Sequence, residues 1–471
     1  MKKTTGNLPF EQQSAGKLLL TMCLPAVIIM VVMTVYHMTD LFFIGQLGDV
    51  TQLAAVSLVS PAIGIQSVFG TLIGGGGCAI IARRLGEKKG GEREIAGSCL
   101  LLSLASGGLY AAVLLAGIGQ LLPLLGVSEQ AAPFARQYLT IAAISTPAVV
   151  FSTAFGNIIR AEGAARQSMT ANLLGTLTNI LLDPLFILVF GMEVTGAALA
   201  TALGNLLSAL YLVCYLRSGK SRLAPTLTKH GCWTSLIPIL TLGLPSALGN
   251  LLMNLAGGIQ NRMLTGYGDQ AIAAFSVGGK AAMVVAMVGM GIAIGIQPVL
   301  GYFWGAGNRQ RLAGMLRAST ITAVACTSLL GGCCLLFAPQ LVYLFTTDPQ
   351  TSELAIKVTR AALVTAPLLG GYYLSGNLLQ AAGRALPATI ASILRQGLVL
   401  IPVLLAAKLL GGLEGIVWSS AVSDLMSSAA AILMAFSAYR RRFYRKTSSN
   451  PFFRLTRSWP KESTPAHMAE K

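Results

Sequence analysis

Asp40 and Asp183 are carboxylates set in runs that are otherwise apolar. Asp40 closes the stretch TVYHMTD, with Tyr36 four residues and His37 three residues before it, and no charge separates it from Lys17. Asp183 ends the series Asn172, Thr176, Asn179, Asp183, whose spacings of four, three and four place all of them on one face of a helix. Thr201, Asn205 and Ser208 begin the same pattern one apolar segment later. Facing lipid, such groups would be costly, so the three stripes are expected to converge on a lobe interior or a wet cavity. Burial disfavours an ionised carboxylate and neighbouring donors favour it; a carboxyl so placed can exchange a proton, or bind Na+ when ionised. Tyr36, Asn179 and Thr201 supply hydrogen-bonding groups or oxygen ligands. His37 could relay protons, or be hydrogen-bonded at a helix interface. Asp183 precedes Pro184 and so has a second reading, as the cap of a half-helix. Asn157 lies near the end of its segment, where helix capping competes with a role in the site.

The second half carries its own stripe, Asn250, Asn254 and Asn261, with Gln260 beside it. Lys280 and Arg395 lie well inside apolar segments and, if buried, need partners: helix carbonyls, Gln260 or a substrate anion. Met283, Met287 and Met290 share a helical face that could line an adaptable pocket or simply pack. With Asn172 and Thr176, these residues (Asn250, Asn254, Gln260, Lys280, Met283, Met287, Arg395) make up the candidate substrate cavity. The glycine runs GTLIGGGGCAI and GMGIAIGIQP lack the lysine ending of a phosphate loop and fit close helix packing.

The elements that must position these groups follow from composition. Of 471 residues 54% are hydrophobic and 11% charged, against about a quarter charged in soluble domains. Crossing a core of about 30 Å takes roughly 20 apolar residues. Apolar segments recur at 18–45, 53–80, 95–117, 134–158, 169–190, 195–216, 234–264, 270–300, 318–338, 355–379, 387–408 and 413–438. The expected fold is therefore an all-α polytopic membrane protein of twelve transmembrane helices. The net charge of +17 lies mostly in alternate loops, such as ARRLGEKKGGER, LRSGKSRLAPTLTKHG and YRRRFYRK. That points to a lipid bilayer and not to nucleic acid, and puts the basic loops and both termini in the cytoplasm. The eight cysteines show no metal-ligand spacing, and a disulfide framework is not expected.

The chain also repeats itself. Leu24-Pro25 returns as Leu244-Pro245, Gly48-Asp49 as Gly268-Asp269, and GNIIRAEG at 156–163 as GNLLQAAG at 376–383. Offsets held at 219 or 220 residues imply two pseudo-symmetric six-helix bundles around a central cavity. The expected units are residues 1–222, residues 223–440 and a basic, disordered tail at 441–471. Asp40 and Asp183 have no acidic counterparts at that offset, so intramembrane carboxylates are expected only in the N-terminal half.

Duplicated halves of this kind favour a transporter, in which two lobes rock about a shared cavity. No HExxH, Gly-x-Ser-x-Gly or paired catalytic carboxylates appear, which argues against an intramembrane enzyme. No repeat of selectivity-filter type supports a channel. Twelve spans, LP opening the first and seventh of them, TDLFFIGQLGD, GNIIRAEGAARQSMTANLLGTLTNILLDPLFI and GIQPVLGYFWGAGN together resemble the MATE family of multidrug and toxin extrusion transporters, closest to its bacterial branch. The resemblance covers about residues 15–440. It implies an inner-membrane antiporter that exports amphipathic, often cationic, compounds against entry of H+ or Na+, with no other cofactor and as a monomer. Asp40 and Asp183 match the acids of the family's N-lobe cation site, and Tyr36, Asn157, Asn179 and Thr201 match its polar residues. A lipid-linked oligosaccharide flippase of the same superfamily is the alternative; it would call for a strongly cationic cavity.

Overall fold

The computed structural model describes residues 9–45, 50–226, 229–346 and 348–443. Nine long helices come first: α1 (Ala15–Gly45), α2 (Val50–Glu87), α3 (Glu92–Leu124), α4 (Ala132–Ile158), α5 (Ala165–Pro184), α6 (Glu193–Arg217), α7 (Lys229–Leu264), α8 (Asp269–Ala306) and α9 (Arg309–Leu336). Each contains a stretch long and apolar enough to cross a membrane. α10 (Pro349–Val364) and α11 (Ala366–Ala381) form a tenth crossing bent by 49° at Thr365. Pro367 accounts for the bend, because its ring blocks a helix approaching from the N-terminal side.

α12 (Ala385–Ile393), a π turn at Leu394–Leu398 and α13 (Leu400–Phe443) make a run of 59 residues. As one straight helix it would reach about 90 Å, three times the bilayer core. Gly412, with φ 54° and ψ −131°, breaks it. The two arms then return against each other, for a Cβ on Gly415 would stand 2.1 Å from the Ala407 carbonyl oxygen. The run is thus the eleventh and twelfth crossings, which completes the predicted twelve. α13 stays helical through Arg441, Arg442 and Phe443, where a tail had been expected. Phe443 is anchored by edge contact with Trp304, ring centroids 5.7 Å apart. The rest of the expected tail lies outside the described residues.

The halves pack as equivalents. α1 lies on α5, α2 on α4 and α5 on α6; in the second half α7 lies on α12, α8 on α10 and α11, and the π turn on α13. Between halves, α1 packs on α8, and α2 packs on α7 and α8. Glycine makes these crossings close. A Cβ on Gly76 would lie 1.9 Å from Ile239 O, and one on Gly243 1.7 Å from Leu72 O. One on Gly86 would meet Tyr302 O at 2.0 Å, and one on Gly305 Arg83 O at 2.2 Å.

All four crossings lie toward the end that carries the basic loops. The buried clusters divide the same way. Leu18, Met22 and Cys23 share a core with Ile292, Ile296 and Phe303 of the other half, and Ile73, Ile80 and Ile81 share one with Ile239 and Leu242. At the far end, the cluster of Ala55, Val59, Ile118 and Leu139 belongs to one half alone, and that of Leu264, Ala271, Leu404 and Ile416 to the other. Among the described residues, buried clusters join the lobes at one end and none spans both lobes at the other.

A short helix, Pro9–Gln12, reinforces the joined end. Phe10 is fully buried against Tyr302. Tyr302 Oη donates to Glu11 Oε1 at 2.5 Å, while Lys88 Nζ, just past the end of α2, stands 3.7 Å from the same oxygen. Arg311 of α9 donates to the carbonyls of Gln13 and Glu11.

The connection between lobes stays on the first lobe past residue 222. Glu162 accepts from Ser221 Oγ at 2.8 Å and from the Arg222 amide at 2.7 Å. The Thr226 amide donates to Arg93 O at 3.1 Å, and Leu223 is fully buried. Through Thr226 the connection packs on the first lobe.

Candidate functional site

Asp183 and Asn179 lie on one face of α5, a turn apart, and both are buried. Asn179 Nδ2 donates to Asp183 Oδ1 at 3.4 Å and to Thr201 Oγ1 of α6 at 3.0 Å. Asn179 Oδ1 is buried with no hydrogen-bond partner among the described residues. The expected α5 and α6 stripes therefore do converge, and Asn205 steadies the next turn by donating to Thr201 O at 2.9 Å.

The helix pair can close here because Gly175 and Gly204 face each other. A Cβ on Gly204 would be 2.5 Å from Gly175 O. Asp183 does not cap a half-helix: α5 continues through Pro184 into the π turn Leu185–Val189 without a fresh start. Chemically the cluster offers a carboxylate, an amide oxygen and a hydroxyl, groups suited to a proton or a hard monovalent cation.

α1 carries Asp40 near its C-terminal end. α1 and α5 pack together, and Met22 and Ala165 share a buried cluster near their starts. The same eighteen residues separate Met22 from Asp40 and Ala165 from Asp183, about 27 Å along each helix. The backbone of α1 passes through Tyr36, His37 and Asp40 as helix, and Tyr36 is half-buried. The side chains of His37 and Asp40 lie outside the described residues.

Asn157 is not part of this cluster. It donates to Thr153 O at 2.7 Å and accepts from Arg160, near Asn172 and so about 16 Å down α5 from Asp183. Asn172 bonds back to Ser168 O at 3.4 Å, and Thr176 is half-buried on the intervening turn.

In the second lobe Asn250, Gln260 and Met287 are half-buried, Met283 is 41% exposed, and the side chain of Asn254 lies outside the described residues. Two expectations need correction. Lys280 is exposed, not buried; its Nζ sits 4.4 Å from the centroid of the Phe345 ring. Three turns from the start of α8, its long stem reaches the chain that follows the short helix Ala338–Tyr343.

Arg395 is enclosed but is not a free cation awaiting a substrate. Its Nε lies 2.7 Å from Asp424 Oδ1, and NH1 donates to Tyr373 Oη at 2.8 Å. Asp424, buried in α13 within the twelfth crossing, also accepts from Thr365 Oγ1 at 3.3 Å. Intramembrane carboxylates are thus not confined to the first half. The signal was present in the sequence: Arg395 and Asp424 are opposite charges in neighbouring apolar segments, though only Arg395 was read as needing a partner.

Comparison with known proteins follows this geometry. The MatE family model matches residues 25–185 and again 245–405, one match per lobe. The chain is 29% identical over 442 residues to the multidrug export protein MepA of Staphylococcus haemolyticus, covering 93% of this chain and 97% of that one. MepA of Staphylococcus aureus is 29% identical over 433 residues, covering 91% and 95%. Among solved structures, an outward-facing conformation of a multidrug resistance MATE family transporter of the MOP superfamily superposes with a TM-score of 0.86 at 26% identity, covering 94% of this chain and 100% of that chain. A MATE in the straight conformation gives 0.87 at 26% identity, covering 93% and 99%.

Proposed function

The chain belongs to the MatE family, and on that footing we propose that it exports amphipathic, chiefly cationic compounds by alternating access, driven by H+ or Na+ entry through its first lobe. It is a multi-pass membrane transporter and not an enzyme. The observation that carries the mechanistic reading is the one-ended seam: lobes interlocked by glycine crossings at the basic-loop end, with no buried cluster shared between them at the other among the described residues. With the basic loops in the cytoplasm of an inner membrane, that shape is the state open to the outside. The multidrug character rests on the two export relatives.

In this reading Asp183, with Asn179 and Thr201, and Asp40 of α1 hold the coupling ion. A cation there and a drug in the cleft favour opposite states, and each shifts the equilibrium only through its differential affinity for the two. One charge moving down 100 mV supplies about 2.3 kcal/mol, enough for roughly fortyfold accumulation of a neutral substrate. The transporter works as a monomer, since one chain contains both lobes and the cleft between them.

Everted vesicles test this directly. Adding a cationic dye should release a preformed proton gradient or, if Na+ is the coupling ion, do so only with sodium present. Asp40→Asn and Asp183→Asn should each abolish the response. A full response from either variant at equal expression would remove that carboxylate from the coupling path.

A further inference from the structure

The internal repeat locates a difference between lobes that neither the family match nor the relatives assign. At the 220-residue offset, Gly175 corresponds to Arg395 and Gly204 to Asp424. In the first lobe these positions bring the α5 and α6 backbones together, one turn from Asn179 and Thr201. In the second lobe the same two positions hold an ion pair, with Nε 2.7 Å from Oδ1 and the side chains only 14% and 11% exposed. Every other described contact around the pair is neutral. Tyr373 Oη accepts from Arg395, Thr365 Oγ1 donates to Asp424, and Ser423 Oγ donates to Arg395 O. The guanidinium carbon also lies 5.3 Å and 5.4 Å from the ring centroids of Tyr372 and Tyr373.

Tyr373 connects this cluster to the wall between the lobes. Its ring packs on α8 at Gly289, where a Cβ would stand in ordinary contact with Tyr373 Cδ2 at 3.5 Å. α8 is the helix that crosses α1 and α2 at the seam and carries Met283 and Met287. A pair so enclosed costs desolvation and is not needed to hold helices together, because apolar residues of similar size often serve as well or better. The first lobe does the same structural task with two glycines.

We propose that Arg395, Asp424 and Tyr373 set the charge selectivity of the second lobe. This rests on the multidrug export reading above. With Asp424 in place, the guanidinium is cancelled and the lobe presents a neutral, aromatic wall that admits organic cations. Without Asp424, the same guanidinium repels them and attracts aromatic anions. Arg395 and Asp424 are thereby specificity-determining residues, and Tyr373 positions the guanidinium toward its carboxylate.

The test measures binding of tetraphenylphosphonium, a permanent cation, and of anilinonaphthalene sulfonate, an aromatic anion, to the purified full chain in lipid nanodiscs. A unit charge about 10 Å away, acting through an effective dielectric of about 20, changes an affinity roughly tenfold. Asp424→Asn should weaken the cation about tenfold and strengthen the anion. Arg395→Gln should move the cation-to-anion ratio the other way, and the double variant should return it to within about threefold of the wild type. Tyr373→Phe, which keeps the ion pair, should shift the ratio weakly in the direction of Asp424→Asn and keeps the test open if that variant fails to fold. Equal loss of both probes, or a double variant no better than Asp424→Asn, would show a purely structural pair and overturn the proposal. A wild type that binds no organic cation would instead overturn the export reading, and the inference with it.

Discussion

Replacing Gly243 by alanine should weaken the seam and shift the transporter away from its present state. The added Cβ would lie 1.7 Å from Leu72 O, half the 3.4 Å at which ordinary contact begins. The opposing atom is a backbone carbonyl and cannot rotate aside, so the α2–α7 crossing itself must widen. Overpacking of this kind costs about 1–3 kcal/mol, which is about a 5–150-fold change in the balance between states. Gly76→Ala strains the same crossing from the other side, at 1.9 Å from Ile239 O. One separation relieves both, so the two substitutions should be less than additive. Cys23 supplies the readout. It is buried on α1, with its Sγ 3.5 Å from Ile292 O of α8. In a chain whose only cysteine is Cys23, a membrane-impermeant maleimide applied to everted vesicles should label Gly243→Ala at least fivefold faster than the parent. Unchanged labelling, in a variant with the parent's melting temperature and elution volume, would refute the view that this seam closes the cytoplasmic side.

Other outcomes follow from the same geometry. Thr201→Val removes the hydroxyl that accepts from Asn179 and should reduce proton or sodium coupling several-fold while leaving drug binding in the cleft intact, as read by dye binding beside gradient release. Gly204→Val puts bulk 2.5 Å from Gly175 O and should lower stability by about 1–3 kcal/mol, measured by thermal unfolding in detergent; an unchanged midpoint would contradict the close α5–α6 contact. Gly412→Ala forces an L residue to φ 54°, ψ −131° and should destabilise the turn between the last two crossings by about 1–3 kcal/mol, visible as faster hydrogen exchange over residues 407–415. Asp348 receives two hydrogen bonds from Thr351, which hold its carboxyl below the ordinary 3.8. Its capping of α10 is therefore complete above that value and is lost as pH falls through the lowered one; the protection of the Thr351 amide against exchange, relative to its intrinsic rate, should fall in acid, and unchanged protection would count against the cap.

Much of this architecture was legible in the residues. Apolar segments of about twenty residues, alternating basic loops and a fixed offset fix the crossings and their duplication, because membrane thickness and backbone satisfaction leave few alternatives. The α5 stripe was readable for the same reason: spacings of four, three and four put Asn179 and Asp183 on one face, and Thr201 found them. What periodicity does not carry is the partner. Arg395 was recognised as needing a partner, but acids were sought only opposite Asp40 and Asp183, so Asp424, which matches Gly204, escaped notice. Lys280 was assigned to the interior by its depth in the segment, although a lysine stem spans enough distance to leave it. The glycine runs signalled close packing but not which helix would approach, since that depends on how two lobes meet and not on either sequence alone.

The segment Phe10–Gln13 reaches from the start of the first lobe across to Tyr302 and Arg311 of the second. A strap anchored on both sides of a hinge must let go on one of them before the hinge can swing. Its release therefore adds to the work of turning inward, and trimming or fusing the chain near this point would change the speed of the cycle without touching ion or cargo.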